Sequence, residues 1–201
     1  TGVQTCALPI FFDNHKQRLP NNTQGNFIME VTYKDKRYTL GKKERNVEGE
    51  APAVRVKMLD NETKVIGLMA PAVQVMVTLN DISKYTLALH EVITTTKKKV
   101  NTYIITTSLN EDMEKIAEEF SIDKGTISND FKDFSLKFGV NIDDTMIANS
   151  IFVIDKEGII KYKEIPANLE DDFNLEDFSI TLNETVNFKP KGHTHENWMG
   201  V

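Results

Sequence analysis

The segment Val73 to Thr107 restricts this chain to few folds. It reads VQVMVTL, then NDISKYTLALHEVITTTKKK, then VNTYIITT. Two β-branched runs of strand length flank a stretch in which Tyr85, Leu89, Val92 and Ile93 recur at helical spacing. That pattern predicts a strand, a crossover helix and a parallel strand, a βαβ unit. Asn80, Asp81 and Ser83 offer side-chain oxygens to cap the helix start, and Lys97, Lys98 and Lys99 stand where the helix dipole favours cations. The strand-to-helix turn, Asn80 to Thr86, is where oriented backbone amides can hold an anionic group, and any chemistry is expected there.

The flanking segments supply the rest of an α/β domain. EVTYKDKRYTL, from Glu30, alternates apolar and polar residues on both sides of Lys34-Asp35-Lys36 and predicts a hairpin. AVRVKML alternates through Val54, Val56 and Met58, and Asp60-Asn61-Glu62 turns it into a short return strand over Lys64 to Leu68. Beyond the βαβ unit, Ser108 and Glu111 have capping-box spacing, and Met113, Ile116, Ala117 and Phe120 follow on one helical face. GTIS fits a short strand. Phe131, Phe134 and Phe138 mark a brief helix stopped by Gly139. Ile151–Ile154 and Ile159–Tyr162 form a hairpin around Asp155-Lys156-Glu157-Gly158, with Gly158 at the positive-φ position. Leu175, Phe178 and Leu182 suit a helix, although Phe178, Ile180, Leu182, Val186 and Phe188 also alternate as a strand would; helix is the reading adopted.

Composition narrows the function classes. A chain 40% hydrophobic and 27% charged is an ordinary globular protein. With a net charge of -6 and scattered Lys and Arg, it has no footprint for nucleic acid. No apolar run nears the roughly 18 residues of a membrane span, and no secretory signal is evident. A cytoplasmic protein is expected. The single cysteine, Cys6, excludes an internal disulfide framework and a multi-cysteine metal site. Residues 1 to 10, TGVQTCALPI, read as the translation of a short-read sequencing adapter, and 11 to 28 show no sustained period. We therefore expect a non-native or upstream-translated disordered segment over 1–28, a domain over 29–188 starting at Met29, and an exposed tail over 189–201.

The order of hairpin, GEAPAV strand, βαβ unit, helix and FVIDKEGIIKY hairpin resembles the redoxins. Through Glu48-Gly49-Glu50-Ala51-Pro52, ITTSLNEDMEKIA and Ile151 to Tyr162 it resembles, over about Met29 to Ile165, the thiol peroxidases, which are atypical two-cysteine peroxiredoxins. The resemblance implies a thioredoxin-like fold, with a central mixed sheet flanked by helices and an N-terminal β-hairpin. It also implies a peroxide-reducing cysteine thiolate in the first turn of the crossover helix, with a threonine three residues earlier and an arginine on a later strand holding it. This chain departs from that pattern at each reactive position. With one residue deleted, Ser83 takes the threonine position and Thr86 the cysteine position; without the deletion, Lys84 and Leu87 fall there. Asn149 in IANSIFV matches the arginine, Ala117 matches the position that often carries a resolving cysteine, and Asn80 or Leu79 replaces a proline.

Ser and Thr at a helix start most often cap it, and that is the favoured use of Thr86 and Ser83. Asn149 is read as structural, and His90 as a satisfied polar-face residue. Three functions remain. The first is a catalytically degenerate thiol-peroxidase-like redoxin acting as a binding or regulatory module, pairing with a second copy. The second is an active antioxidant peroxidase of the peroxiredoxin family. The third is a metal- or small-ligand-binding protein using His193 and His195. No cofactor is expected, nor a dedicated metal site.

Overall fold

The computed structural model describes residues 29–41, 44–96 and 100–188. Cys6, the segment 1–28, Lys97–Lys99 and the tail 189–201 with its two histidines lie outside the described residues.

Two hairpins come first: β1 (Glu30–Tyr33) with β2 (Lys36–Thr39), and β3 (Val54–Lys57) with β4 (Thr63–Ile66). Lys34 and Asp35 both take positive φ at the first turn, 49° and 62°, as a two-residue hairpin loop requires. The return strand β4 ends short of the expected Leu68 because Gly67 and Leu68 also turn left-handed, at φ 78° and 56°. The βαβ unit is β5 (Gln74–Leu79), α1 (Leu87–Thr94) and β6 (Asn101–Thr106), with β5 and β6 parallel. After α2 (Asn110–Glu119), β7 (Ile127–Ser128), α3 (Lys132–Phe138), β8 (Ser150–Ile154) and β9 (Ile160–Glu164), the described chain closes with α4 (Leu175–Asn187).

The five-stranded sheet runs β7-β6-β5-β8-β9, parallel across β7, β6 and β5 and antiparallel from β5 to β8 to β9. Its central strand β5 is buried along its full length. Side chains alternate between faces. Val75, Val77 and Leu79 join Leu89 and Ile93 of α1, Met113 and Ala117 of α2, and Phe178, Leu182 and Val186 of α4. Met76 and Phe152 face the opposite core, with Val54 and Val56 of β3 and Phe134 and Phe138 of α3. Helices thus cover one face, while the hairpins and α3 cover the other.

The C-terminal ambiguity is decided by burial. Phe178, Leu182 and Val186 are buried at four-residue spacing, while Ile180, which a strand would have turned inward with them, is 50% exposed. Two expected caps differ from the structure. Asp81 caps a single 3-10 turn over Ile82–Lys84, and α1 starts later, capped by Thr86. Leu109, with no side-chain cap hydrogen bond, precedes α2. Ser108 Oγ instead accepts the N–H of Ile82 at 2.9 Å, a partner on another element.

Candidate active site at the start of the crossover helix

The carboxyl end of β5 turns into α1 through Asn80 to Thr86, and the expected site residues lie on or beside this turn. Thr86 has extended backbone (φ −93°, ψ 158°), and its Oγ1 accepts the N–H of Leu89 at 3.3 Å. Its hydroxyl therefore serves one of the donors that a helix start leaves without a backbone partner. Leu87, the alternative match, is the first helical residue and is exposed, so both registers fall on the helix start. Ser83 is exposed in the preceding turn, where its N–H donates to Asp81 Oδ1 at 2.9 Å. Lys84 Nζ donates to the carbonyl of Glu170 at 3.0 Å.

Asn149 precedes β8 and is buried. Its Oδ1 accepts the N–H of Asn80 at 2.8 Å, and its Nδ2 donates to the carbonyl of Leu169 at 2.7 Å. The carboxamide thus ties the β5 turn to the 167–169 segment. Thr107 Oγ1 donates to the carbonyl of Asn80, so the turn is held by its N–H and its C=O from two neighbouring elements. Beneath it, the buried Thr78 hydroxyl donates to the carbonyl of Ala148 at 2.7 Å and lies 2.5 Å from Ser150 Oγ. The structure brings Asn149 to the root of the turn. Among the described residues, no hydrogen bond joins it to Thr86 or Ser83.

Ala117 is buried in the helix-covered core and packs in the same cluster as Met113. The sequence did not suggest the aromatic contacts of His90. Tyr85 Oη lies 3.1 Å from His90 Nδ1, and the rings of Tyr85 and His90 each sit 5.3 Å from that of Phe120. Burial pushes the Tyr85 phenol up to about 12, so it stays protonated across the physiological range. The five-residue separation of Tyr85 and His90 spans the irregular turn, where helical periodicity carries no information.

Chemically, the turn offers hydroxyls and carboxamides engaged in holding backbone. It offers no thiol, and no group of three potential metal-ligating side chains occurs among the described residues. No helix of the described residues is long and apolar enough to cross a membrane.

No protein-family model matches the chain. A thiol peroxidase from Aquifex aeolicus (strain VF5) is 25% identical over 170 residues, spanning 78% of this chain and 98% of that protein. The crystal structure of a peroxiredoxin-like protein from Aquifex aeolicus matches with a TM-score of 0.68 at 24% identity, covering 81% of this chain and 100% of that one. A thiol peroxidase from Chromobacterium violaceum matches with a TM-score of 0.65 at 17% identity, over 78% of this chain and 96% of that one. The chain has the thioredoxin-like α/β fold, resembles the thiol peroxidases in sequence and architecture, and carries no cysteine from Met29 to Val201.

Proposed function

We propose that this chain is a thiol-peroxidase-like redoxin without peroxidase turnover, acting in the cytoplasm as a binding or regulatory module. Residues 29–188 form its working domain, and a second copy of the chain is its first partner. Thr86 and Ser83 are read as the positions of the family's reactive cysteine and its threonine, Asn149 as that of the arginine, and Ala117 as that of the resolving cysteine.

The observation that carries this reading is that the Thr86 hydroxyl caps α1, at the position we read as that of the family's nucleophile. Peroxide reduction by a thiol begins when a thiolate attacks the O–O bond, taking one oxygen as a sulfenic acid and releasing the other as water or alcohol. The attacking group must be ionised near neutral pH. Local charges and a helix dipole move a pKa by a few units at most, far too little for an alcohol. Asn149 is neutral, so it supplies no fixed positive charge for an oxyanion, and losing one such stabilising donor typically costs about 100-fold or more in rate.

The test is peroxide consumption coupled to a thioredoxin reductant. We expect no turnover of hydrogen peroxide or cumene hydroperoxide above buffer for the chain from Met29. Turnover comparable to a cysteine-bearing thiol peroxidase would overturn the reading. A Thr86→Cys variant that gains peroxide reactivity, where Leu87→Cys does not, would support the register that places Thr86 at the nucleophile position.

A further inference from the structure

A cavity of about 460 Å³ lies between the turn that joins β8 to β9 and the last turns of α4. Its volume is within the range of small-molecule sites, roughly 300–1,000 Å³. Gln74 at the start of β5 pairs with Ile154 at the end of β8, so this turn is at the end of the sheet opposite the Asn80–Thr86 turn. Hydrogen bonds fix the wall on the strand side. Asp155 Oδ1 accepts the N–H groups of Glu157 at 3.0 Å and Ile159 at 2.8 Å. Glu48 N–H donates to the carbonyl of Ile160 at 2.8 Å, which seats the Glu48 segment against β9. Lys161 Nζ bridges the two carboxylates, 2.9 Å from Glu48 Oε2 and 3.6 Å from Asp155 Oδ2.

That bridge consumes one of the two ammonium groups lining the cavity and leaves the remainder negative. The other ammonium, of Lys156, faces two further carboxylates, of Glu157 and Glu184, and none of these three is in an ion pair among the described residues. From the other side, α4 ends at the cavity with no basic residue in its last turn, so the negative end of its dipole adds to the same field. Phe188, directly after α4, lines the cavity and is 72% exposed. An aromatic ring attracts a cation through its quadrupole and covers the hydrocarbon attached to it. No three potential metal-ligating side chains converge among the described residues, so the geometry favours an organic cation that fills apolar volume over a metal ion.

We propose that this cavity binds a small organic cation, a primary ammonium on an apolar body, with Glu157 and Glu184 holding the ammonium and Phe188 covering the body. The site is independent of the absence of turnover, since no residue lining it belongs to the β5–α1 turn. Calorimetric titration of the full chain with phenethylammonium tests it, with phenethyl alcohol and hydrocinnamate as the neutral and anionic counterparts. The ammonium should bind at one site with a Kd of about 1 mM or tighter, at least about tenfold more tightly than the alcohol, and the carboxylate should not bind. Glu157→Gln with Glu184→Gln should weaken the ammonium at least about tenfold and leave the alcohol unchanged. Phe188→Ala should weaken it too, whereas Phe188→Trp, which keeps an aromatic face, should preserve it. All three positions are exposed, so these variants keep the fold. Equal affinity for ammonium and alcohol, binding that survives the paired glutamine substitutions, or no binding would each overturn the proposal. Binding that appears only after Lys189→Gln with Lys191→Gln would overturn it as well, by showing that lysines of the chain itself take the place of the ligand.

Discussion

Asn149 shows what a single carboxamide does when both its ends are engaged. Replacing it with alanine removes the acceptor for Asn80 N–H and the donor for Leu169 O. Leaving a buried backbone group unpaired costs about 1–3 kcal/mol, a penalty that falls on the Leu169 carbonyl more than on the part-buried Asn80 N–H, so Asn149→Ala should lower the urea midpoint at an unchanged slope. Thr86→Ala removes only a helix cap and should cost about 1 kcal/mol, with no effect on peroxide consumption. Tyr85 makes stability depend on pH at the alkaline end. Its ordinary value of 10.0 holds in the unfolded chain, and burial raises it to about 12 in the fold. Between those two values the unfolded chain releases a proton that the folded chain keeps, so stability falls as pH rises through that window. Tyr85→Phe should flatten this decline in alkaline unfolding curves. Tyr103 is also raised by burial, and Tyr162 by burial and then by its hydrogen bond to Glu164; both therefore leave part of the slope in place.

At the scale of elements, α3 and the β8–β9 turn depend on a few positions. The rings of Phe134 and Phe138 stack at 4.2 Å and 7°, and Phe138 meets Phe152 edge-on at 5.1 Å across to the sheet. Phe138→Ala should cost about 3–5 kcal/mol in equilibrium unfolding, because a packed core relaxes only partly into the cavity left behind. Gly158 takes φ 85°, and a Cβ there would lie 2.9 Å from the backbone of Leu68 and Met69. Gly158→Ala should therefore cost more than the roughly 1–2 kcal/mol of left-handed backbone alone. The positive φ of Gly158 was legible in its hairpin. That of Gly67 was not, since it arises where the Gly67 backbone lies close against the carbonyl of Pro52, and nothing local marks it. The α2 face was legible from Met113, Ile116 and Ala117, whereas the expected Ser108 cap was not realised. The Ser108 hydroxyl had a competing backbone partner, Ile82, that only folding brings near.

At the scale of the molecule, the two cores on either face of the sheet are built, among the described residues, from buried side chains between Val31 and Val186. A chain of residues 29–188 should accordingly fold with the same melting temperature as the full chain, measured by calorimetry; a large drop would show that residues outside this range complete the core. Period-two alternation and 3.6-residue spacing are local properties, so the sequence determined the strands, the helices before α4, their order and the parallel crossover, whereas burial decided that α4 is a helix. It also determined that no residue of the β5–α1 turn is a cysteine, because the single cysteine of the chain is Cys6. Tertiary structure decided how the site residues are used. Asn149 reaches partners 69 and 20 residues away, and Thr107 holds a carbonyl 27 residues away. Hydrogen bonds of that span depend on where the sheet brings separate strand ends together, and the tie at the root of α1 exists only once β5, β6 and β8 lie side by side.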